Sequence, residues 1–196
     1  MENIDWSALC LRWAHYIFSG IWIGQIYFTL FILAPALAGF DPETRKKVGA
    51  SLGATLAMLG ILGATLSVVT GAMMFSQIYT GEQGIGMAGG RGAWLSAGIV
   101  SSLLMWFVGM IVILPGSNAL ARATIELPKV AKRVRIASLA NAFLSLATLF
   151  LMILAAGHPA VIPFSYGMLA AVAGLSAAAF GILFSVAARF NKPSTS

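Results

Sequence analysis

Two side chains in this 196-residue sequence can ligate a transition metal from an apolar setting: His15 and His158, its only histidines. A catalytic zinc site takes three protein ligands, and two histidines with the single cysteine, Cys10, fall short of one. The sequence has no C-x-x-C-H for covalent haem attachment and no second cysteine for a disulfide. Two imidazoles do suffice for the axial positions of a haem iron, because the porphyrin supplies the other four nitrogens. The competing readings are plainer. A histidine in an apolar span is often an interhelical hydrogen-bonding group, and His158 stands beside Pro159 as an ordinary loop residue would.

Helical phase gives His15 company. At ~100° per residue, Arg12, His15, Ser19, Trp22, Ile26 and Thr29 share one helix face. That stripe puts a cation above the histidine and an aromatic ring below it, a wall suited to a porphyrin with its propionates pointing outward. Charge-assisted bonds from Arg12 or Arg91 would neutralise those propionates. Alternatively, both arginines simply snorkel to an interface.

The elements that must position these groups follow from composition. The chain is 59% hydrophobic and 9% charged, with a mean hydropathy of +0.90, against about 45–50% and about 25% in a soluble domain. Disorder, a coiled coil and a free cytosolic enzyme are excluded, and the hydrocarbon of a bilayer is the matching solvent. Apolar runs of about 20 residues or more predict five spans: roughly Trp6–Leu37, Val48–Tyr79, Gly92–Leu120, Ala137–Ala156 and Val161–Phe190. The breaks fall at Gly39-Phe40-Asp41-Pro42, the Gly-rich Gly81–Gly92, the charged Arg122–Arg135 and Gly157-His158-Pro159. The predicted fold is a single all-α integral membrane domain, a five-transmembrane-helix bundle over residues 1–196. Its acidic start, Met1-Glu2-Asn3-Ile4-Asp5, and long first apolar run favour a retained first span over a cleaved signal.

The formal charge of +6 then becomes an orientation signal. Arg45, Lys46 and Lys47, then Arg122, Lys129, Lys132, Arg133 and Arg135, then Arg189 and Lys192, all fall on one side of the predicted bundle. The positive-inside rule puts that side in the cytoplasm, with the N-terminus outside and the C-terminus cytoplasmic. Nucleic acid is not needed to explain the charge. Arg12 and Arg91 are the exceptions.

The six acids, Glu2, Asp5, Asp41, Glu43, Glu82 and Glu126, sit at ends and in loops. No Asp, Glu or Lys falls inside a predicted span, which argues against a carboxylate-based proton pump or ion carrier and against paired-carboxylate catalysis. Rows of small residues, Gly20/Gly24, Gly49/Gly53/Ala57/Gly60 and Gly167/Gly174/Gly181, read as helix-packing seams. The methionines, Met73-Met74 included, read as gap-fillers and not copper ligands.

Two stretches carry a family resemblance. The first is Leu11-Arg12-Trp13-Ala14-His15 with Gly20-Ile21-Trp22-Ile23-Gly24 and Tyr27-Phe28. The second is Asn141-Ala142-Phe143-Leu144-Ser145 with Leu149-Phe150-Leu151-Met152-Ile153 and Gly157-His158-Pro159. Together they resemble the transmembrane N-terminal domain of the bacterial cytochrome-c-linked urate oxidases, also called urate hydroxylases. The His-x6-Trp-x-Gly of the first span is more distantly similar to the copper-resistance D family and the membrane protoporphyrinogen oxidases. The resemblance implies a haem-associated bundle with His15 and His158 as ligands. The chain departs from it in having five spans, Ala147 where a proline is expected, and no cytochrome c module. Membrane haem binding therefore carries over better than urate oxidation.

Three functions follow as expectations. The first is a b-haem protein of the bacterial inner (plasma) membrane, an electron-transfer subunit with one bis-His haem near the outer face. Its partners would be the lipid bilayer, other membrane subunits or a second copy, and an outer-side cytochrome c. One haem near one face cannot carry electrons across a bilayer, so a second cofactor or a partner is required. The second is a cofactor-free structural or assembly subunit. The third is a urate- or porphyrin-oxidising enzyme, resting on resemblance alone.

Overall fold

Four of the five long helices start at a short polar side chain or a proline (Asp5, Asp41-Pro42, Pro128, Ser165), and the remaining one starts after Gly90 at φ +83°. In a computed structural model describing residues 5–80, 86–87, 90–123, 125, 127–156 and 164–190, five long helices follow one another. They are α1 (Trp6–Ala38), α2 (Pro42–Tyr79), α3 (Arg91–Arg122), α4 (Pro128–Ala156) and α5 (Tyr166–Phe190). No strand occurs among the described residues, and all five helices are long and apolar enough to cross a membrane.

The helices begin at different places from the apolar runs. α2 starts at Pro42, not Val48. The Asp41 carboxylate accepts the Glu43 and Thr44 N–H groups at 3.1 and 3.0 Å, Pro42 occupies the first turn, and Lys47 pairs with Glu43 at 2.7 Å. Hydrogen bonding from Thr44 holds the Asp41 carboxyl below its ordinary pKa, so the cap stays charged. Much of the supposed loop Arg122–Arg135 is likewise helix, because α4 starts at Pro128 and not at Ala137. Lys and Arg are good helix formers, and an apolar-run criterion sees only the stretch beyond them. α5 begins at Tyr166 instead of Val161, with Ser165 Oγ accepting the Met168 N–H at 3.2 Å. Residues 161–163 lie outside the described set.

Two prolines sit inside helices without ending them. Pro35 follows a wide π-turn at Phe28–Leu33, and Pro115 follows one at Gly109–Ile113. A proline ring clashes with the carbonyl four residues earlier and leaves it without a donor. The wider i→i+5 winding makes room for that ring.

An apolar core with several buried polar groups is surrounded by large apolar side chains that face outward. Ser67, Thr70, Asn141, Ser145, Thr148 and Ser176 are buried, while Met58, Leu62, Val100, Ile111, Ile153 and Ile182 are exposed. The buried polar groups tie helix to helix. Tyr27 Oη donates to the Ala142 carbonyl at 3.1 Å and meets Ser145 Oγ at 3.0 Å. Thr148 donates to Ser101 at 2.7 Å, and Trp106 Nε1 to Thr65 at 3.1 Å. α5 leans on the others through Phe180, which meets Phe31 and Phe143 edge-on. At one end Arg45 closes α1, donating to the carbonyls of Leu37, Ala38 and Phe40, each at 2.9 Å. A cation at that point also suits the negative end of the helix dipole.

The predicted small-residue rows are used only in part within the chain. A Cβ added at Gly60 would run into the Gln25 side chain, as a seam requires, while one at Gly20, Gly24, Gly53, Gly174 or Gly181 would meet nothing within 4 Å. A backbone-to-backbone approach occurs at Gly63, outside the predicted rows, where a Cβ would stand 3.1 Å from Ile21 Cγ2 and 3.2 Å from both Phe18 O and Trp22 N. Two of those neighbours are backbone and cannot step aside. Spacing alone marks a glycine row but not the face it turns to a partner. Gly63→Leu is therefore expected to cost about 1–3 kcal/mol by overpacking, and Gly20→Leu to stay within about 0.5 kcal/mol. Thermal unfolding of both variants in detergent checks this; equal losses would contradict the assignment.

Candidate functional site

The α1–α2 approach that Gly63 allows carries His15 against α2. Its Nδ1 lies 3.0 Å from the Ser67 carbonyl oxygen and 3.2 Å from Thr70 Oγ1. A carbonyl only accepts, so Nδ1 carries the proton and donates. The Thr70 hydroxyl has its own acceptor in the Leu66 carbonyl at 2.7 Å, which leaves an oxygen lone pair toward the imidazole. Gly71 makes room for the ring: a Cβ there would stand 3.1 Å from His15 Cε1. One turn along α1, the Ser19 and Ser67 hydroxyls are 2.6 Å apart.

This arrangement fixes the neutral imidazole as the Nδ1–H tautomer. The Nε2 lone pair is then available as a base or a metal ligand. A ring N–H held by a backbone carbonyl is how metal-bound histidines are usually oriented.

His15 lines a groove of about 550 Å³ between α1, α2, α3 and α4. Tyr16 stands beside it, Phe75 and Tyr79 come from α2, Leu95 and Ile99 from α3, and Met152 and Ala156 from α4. Such a volume is within the ~300–1,000 Å³ typical of small-molecule sites, and the largely apolar lining with a few polar groups is typical too. Neither Arg12 nor Arg91 lines the groove, but both are close by: Arg12 is one turn before His15 on α1, and Arg91 donates to the carbonyl of Ala155, the neighbour of Ala156. Arg12 is exposed and also lowers the pKa of Asp5, after the larger effect of hydrogen bonds from Ala8 and Ser7. Arg91 is engaged with the fold, donating to the carbonyls of Ala155 and Gly86 at 3.3 Å.

The predicted site residues separate into groups. His15 lines the groove, with Arg12 and Arg91 close by. Ser19 and Trp22 do not line it: Ser19 bonds Ser67, and Trp22 is buried one turn further on, against a different cavity. His158 lies outside the described residues; Ala156, the last described residue of α4, does line the groove. Ser67, Thr70 and Gly71 escaped the sequence reading. Their signal is the cluster Ser67-x-x-Thr70-Gly71, set in a span that also carries Ser51, Thr55, Thr65 and Ser76.

Among the described residues no three His, Cys, Asp or Glu side chains converge on one point. No protein family, curated protein or solved structure matches this chain.

The tautomer is directly measurable. In detergent-solubilised protein free of bound ligand and carrying ¹⁵N-histidine, with His158→Gln to leave one ring, Nδ1 is expected to resonate as a protonated nitrogen and Nε2 as a bare one. The opposite pattern would contradict the geometry.

Proposed function

We propose that this chain is a b-type haem-binding integral membrane protein, an electron-transfer subunit of a membrane redox system. The observation that carries the reading is the His15 imidazole, held by Ser67 and Thr70 with Nε2 left as a ligand in an apolar groove. The resemblance of the first and fourth spans to membrane haem domains supports it. A porphyrin asks little else of the protein, because it brings four of the six donors itself.

In this reading the five helices cross the bacterial plasma membrane with the N-terminus outside, following the distribution of Lys and Arg. His15 then belongs to the outer half. The residues present fit haem in three respects. His15 offers a nitrogen ligand of fixed tautomer. The apolar walls exclude water and lower the local dielectric, which disfavours extra charge on the metal. Arg12 and Arg91 stand close to the groove, where anionic propionates are stabilised by cations. His158 would supply the second protein ligand to the iron by this account. Met152, which lines the groove from α4, is the alternative donor.

Bound there, haem supplies a one-electron couple between ferric and ferrous iron. The chain's own part is to hold, orient and dehydrate it. Lipid, further membrane subunits or a second copy, and an outer-side cytochrome c are the partners this role calls for.

A second reading rests on the same hydrogen bonds. His15, Ser19, Ser67 and Thr70 fasten α1 to α2, which is enough for a cofactor-free assembly subunit. Absorption spectra of the purified protein, oxidised and dithionite-reduced, separate the two. The haem reading predicts a Soret band and reduced α/β bands at about one haem per chain. It also predicts that His15→Ala and His158→Ala each lose the haem or change its spin state. A colourless pure preparation would contradict it and favour the assembly role. Loss in His15→Ala with an unchanged spectrum in His158→Ala would move the second ligand to Met152.

A further inference from the structure

At the end of the bundle where α1 and α3 finish and α2 and α4 begin, some cations have a structural task. Arg45 donates to the closing carbonyls of α1, and Lys47 pairs with Glu43. Arg122 lies in the last turn of α3, where the helix dipole is negative. Lys129, Lys132, Arg133 and Arg135 have no such task. Each is exposed, and none makes an ion pair or a side-chain hydrogen bond among the described residues. α4 does not offset them, because its first turn holds no acid and its dipole is positive at that end. From Arg122 to Arg135 the sequence carries five cations and one acid, Glu126, which lies outside the described residues.

Three of these cations form a surface. At ~100° per residue, Lys129, Lys132, Arg133 and Ile136 share one face of α4. Val130 and Val134 occupy the face that meets α3: a Cβ on Gly116 would overlap Val134 Cγ2 and stand 3.7 Å from Val130 Cγ1. The cationic face is therefore turned away from α3. Ile136 closes it on the side of the apolar run and is 57% exposed. From Ile136 to Lys129 the helix rises about 10 Å, and the headgroup layer beside a hydrocarbon core is about 5–8 Å thick. With Ile136 at the hydrocarbon edge, Lys132 and Arg133 stand at headgroup depth, and the Lys129 stem can bend back to it.

We propose that this face of α4 binds anionic phospholipid headgroups in preference to zwitterionic ones, through Lys129, Lys132 and Arg133. An anionic headgroup brings net negative charge to the depth at which the three cations stand, while its acyl chains lie against Ile136. A zwitterionic headgroup carries its own cation, which the three side chains repel. Each Lys or Arg close to an anionic membrane surface strengthens binding about fivefold. A nucleic acid or an acidic protein would meet the same charges but would leave Ile136 uncovered. The inference is independent of what occupies the His15 groove.

Native mass spectrometry of the full chain, equilibrated in detergent with equal amounts of phosphatidylglycerol and phosphatidylcholine, reads the preference directly. The unaltered protein is expected to retain several-fold more phosphatidylglycerol. That ratio is expected to fall as ammonium acetate rises from about 0.05 to about 0.5 M, because salt screens exposed charges. Lys129→Gln, Lys132→Gln and Arg133→Gln together are expected to lower it several-fold. Gln is a good helix former, so α4 is kept. The charge-keeping set Lys129→Arg, Lys132→Arg and Arg133→Lys is expected to preserve the ratio, as is Lys46→Gln with Lys47→Gln on α2. Equal retention of the two lipids by the unaltered protein would overturn the proposal, and so would a ratio that survives the triple Gln change. Displacement of the lipid by inorganic phosphate at constant ionic strength would overturn it in favour of a free-anion site. Displacement by a single-stranded oligonucleotide would overturn it in favour of nucleic acid.

Discussion

The hydrogen bond from His15 Nδ1 to the Ser67 carbonyl is the contact on which the rest depends. It requires α1 and α2 to lie close, and Gly63 and Gly71 supply that closeness at two levels of α2. It requires a bonding partner whose identity cannot change with side-chain rotamer, and a backbone carbonyl is one. In return it sets the tautomer of the only histidine among the described residues and leaves Nε2 uncommitted. A histidine on an exposed loop would sample both tautomers and both protonation states.

Around this contact the bundle sets a few paired polar groups within an apolar core and turns large apolar side chains outward. The interior hydroxyls and the Asn141 amide each join two helices or bend back to their own backbone, so polar atoms are taken off the surface. The outward residues are Leu, Ile, Val, Met and Phe. Association of helices in an apolar medium gains little from burying more apolar surface, and depends on close fit and interhelical hydrogen bonds. Both are present here. The same packing leaves two mainly apolar spaces, a larger groove that His15 lines and a smaller cavity beside Trp22 and Asn141.

Much of the fold was legible because each apolar run is long enough to cross a bilayer as one helix. The five apolar runs correspond to the five helices, and the breaks at Gly39–Asp41 and before Arg91 fall where the chain turns. What the runs hid was the helix beyond the apolar stretch, since Glu43–Lys47 and Lys129–Arg135 wind as well as the residues after them. Gly20 and Gly24 carry the familiar spacing of a packing seam, yet face nothing, while Gly63 and Gly71 do the packing. A one-dimensional pattern records spacing; the partner's position decides which face is used. His15 was found by elimination, as one of two histidines in a span with no acids. Its orienting partner was not, because a bond to a backbone carbonyl leaves no mark on residue identity. Trp22 shares the His15 stripe by helical phase, but two turns of rise put it against the other cavity.

The central claim is that His15 Nε2 is an iron ligand. Pulsed EPR of the ferric protein, prepared once with natural histidine and once with ¹⁵N-histidine, tests it at the bond itself. The account predicts a ¹⁵N hyperfine coupling from coordinated imidazole, of which His15→Ala removes the His15 contribution or, with it, the haem itself. A ferric haem signal carrying no histidine ¹⁵N coupling, or one unchanged by His15→Ala, would contradict it.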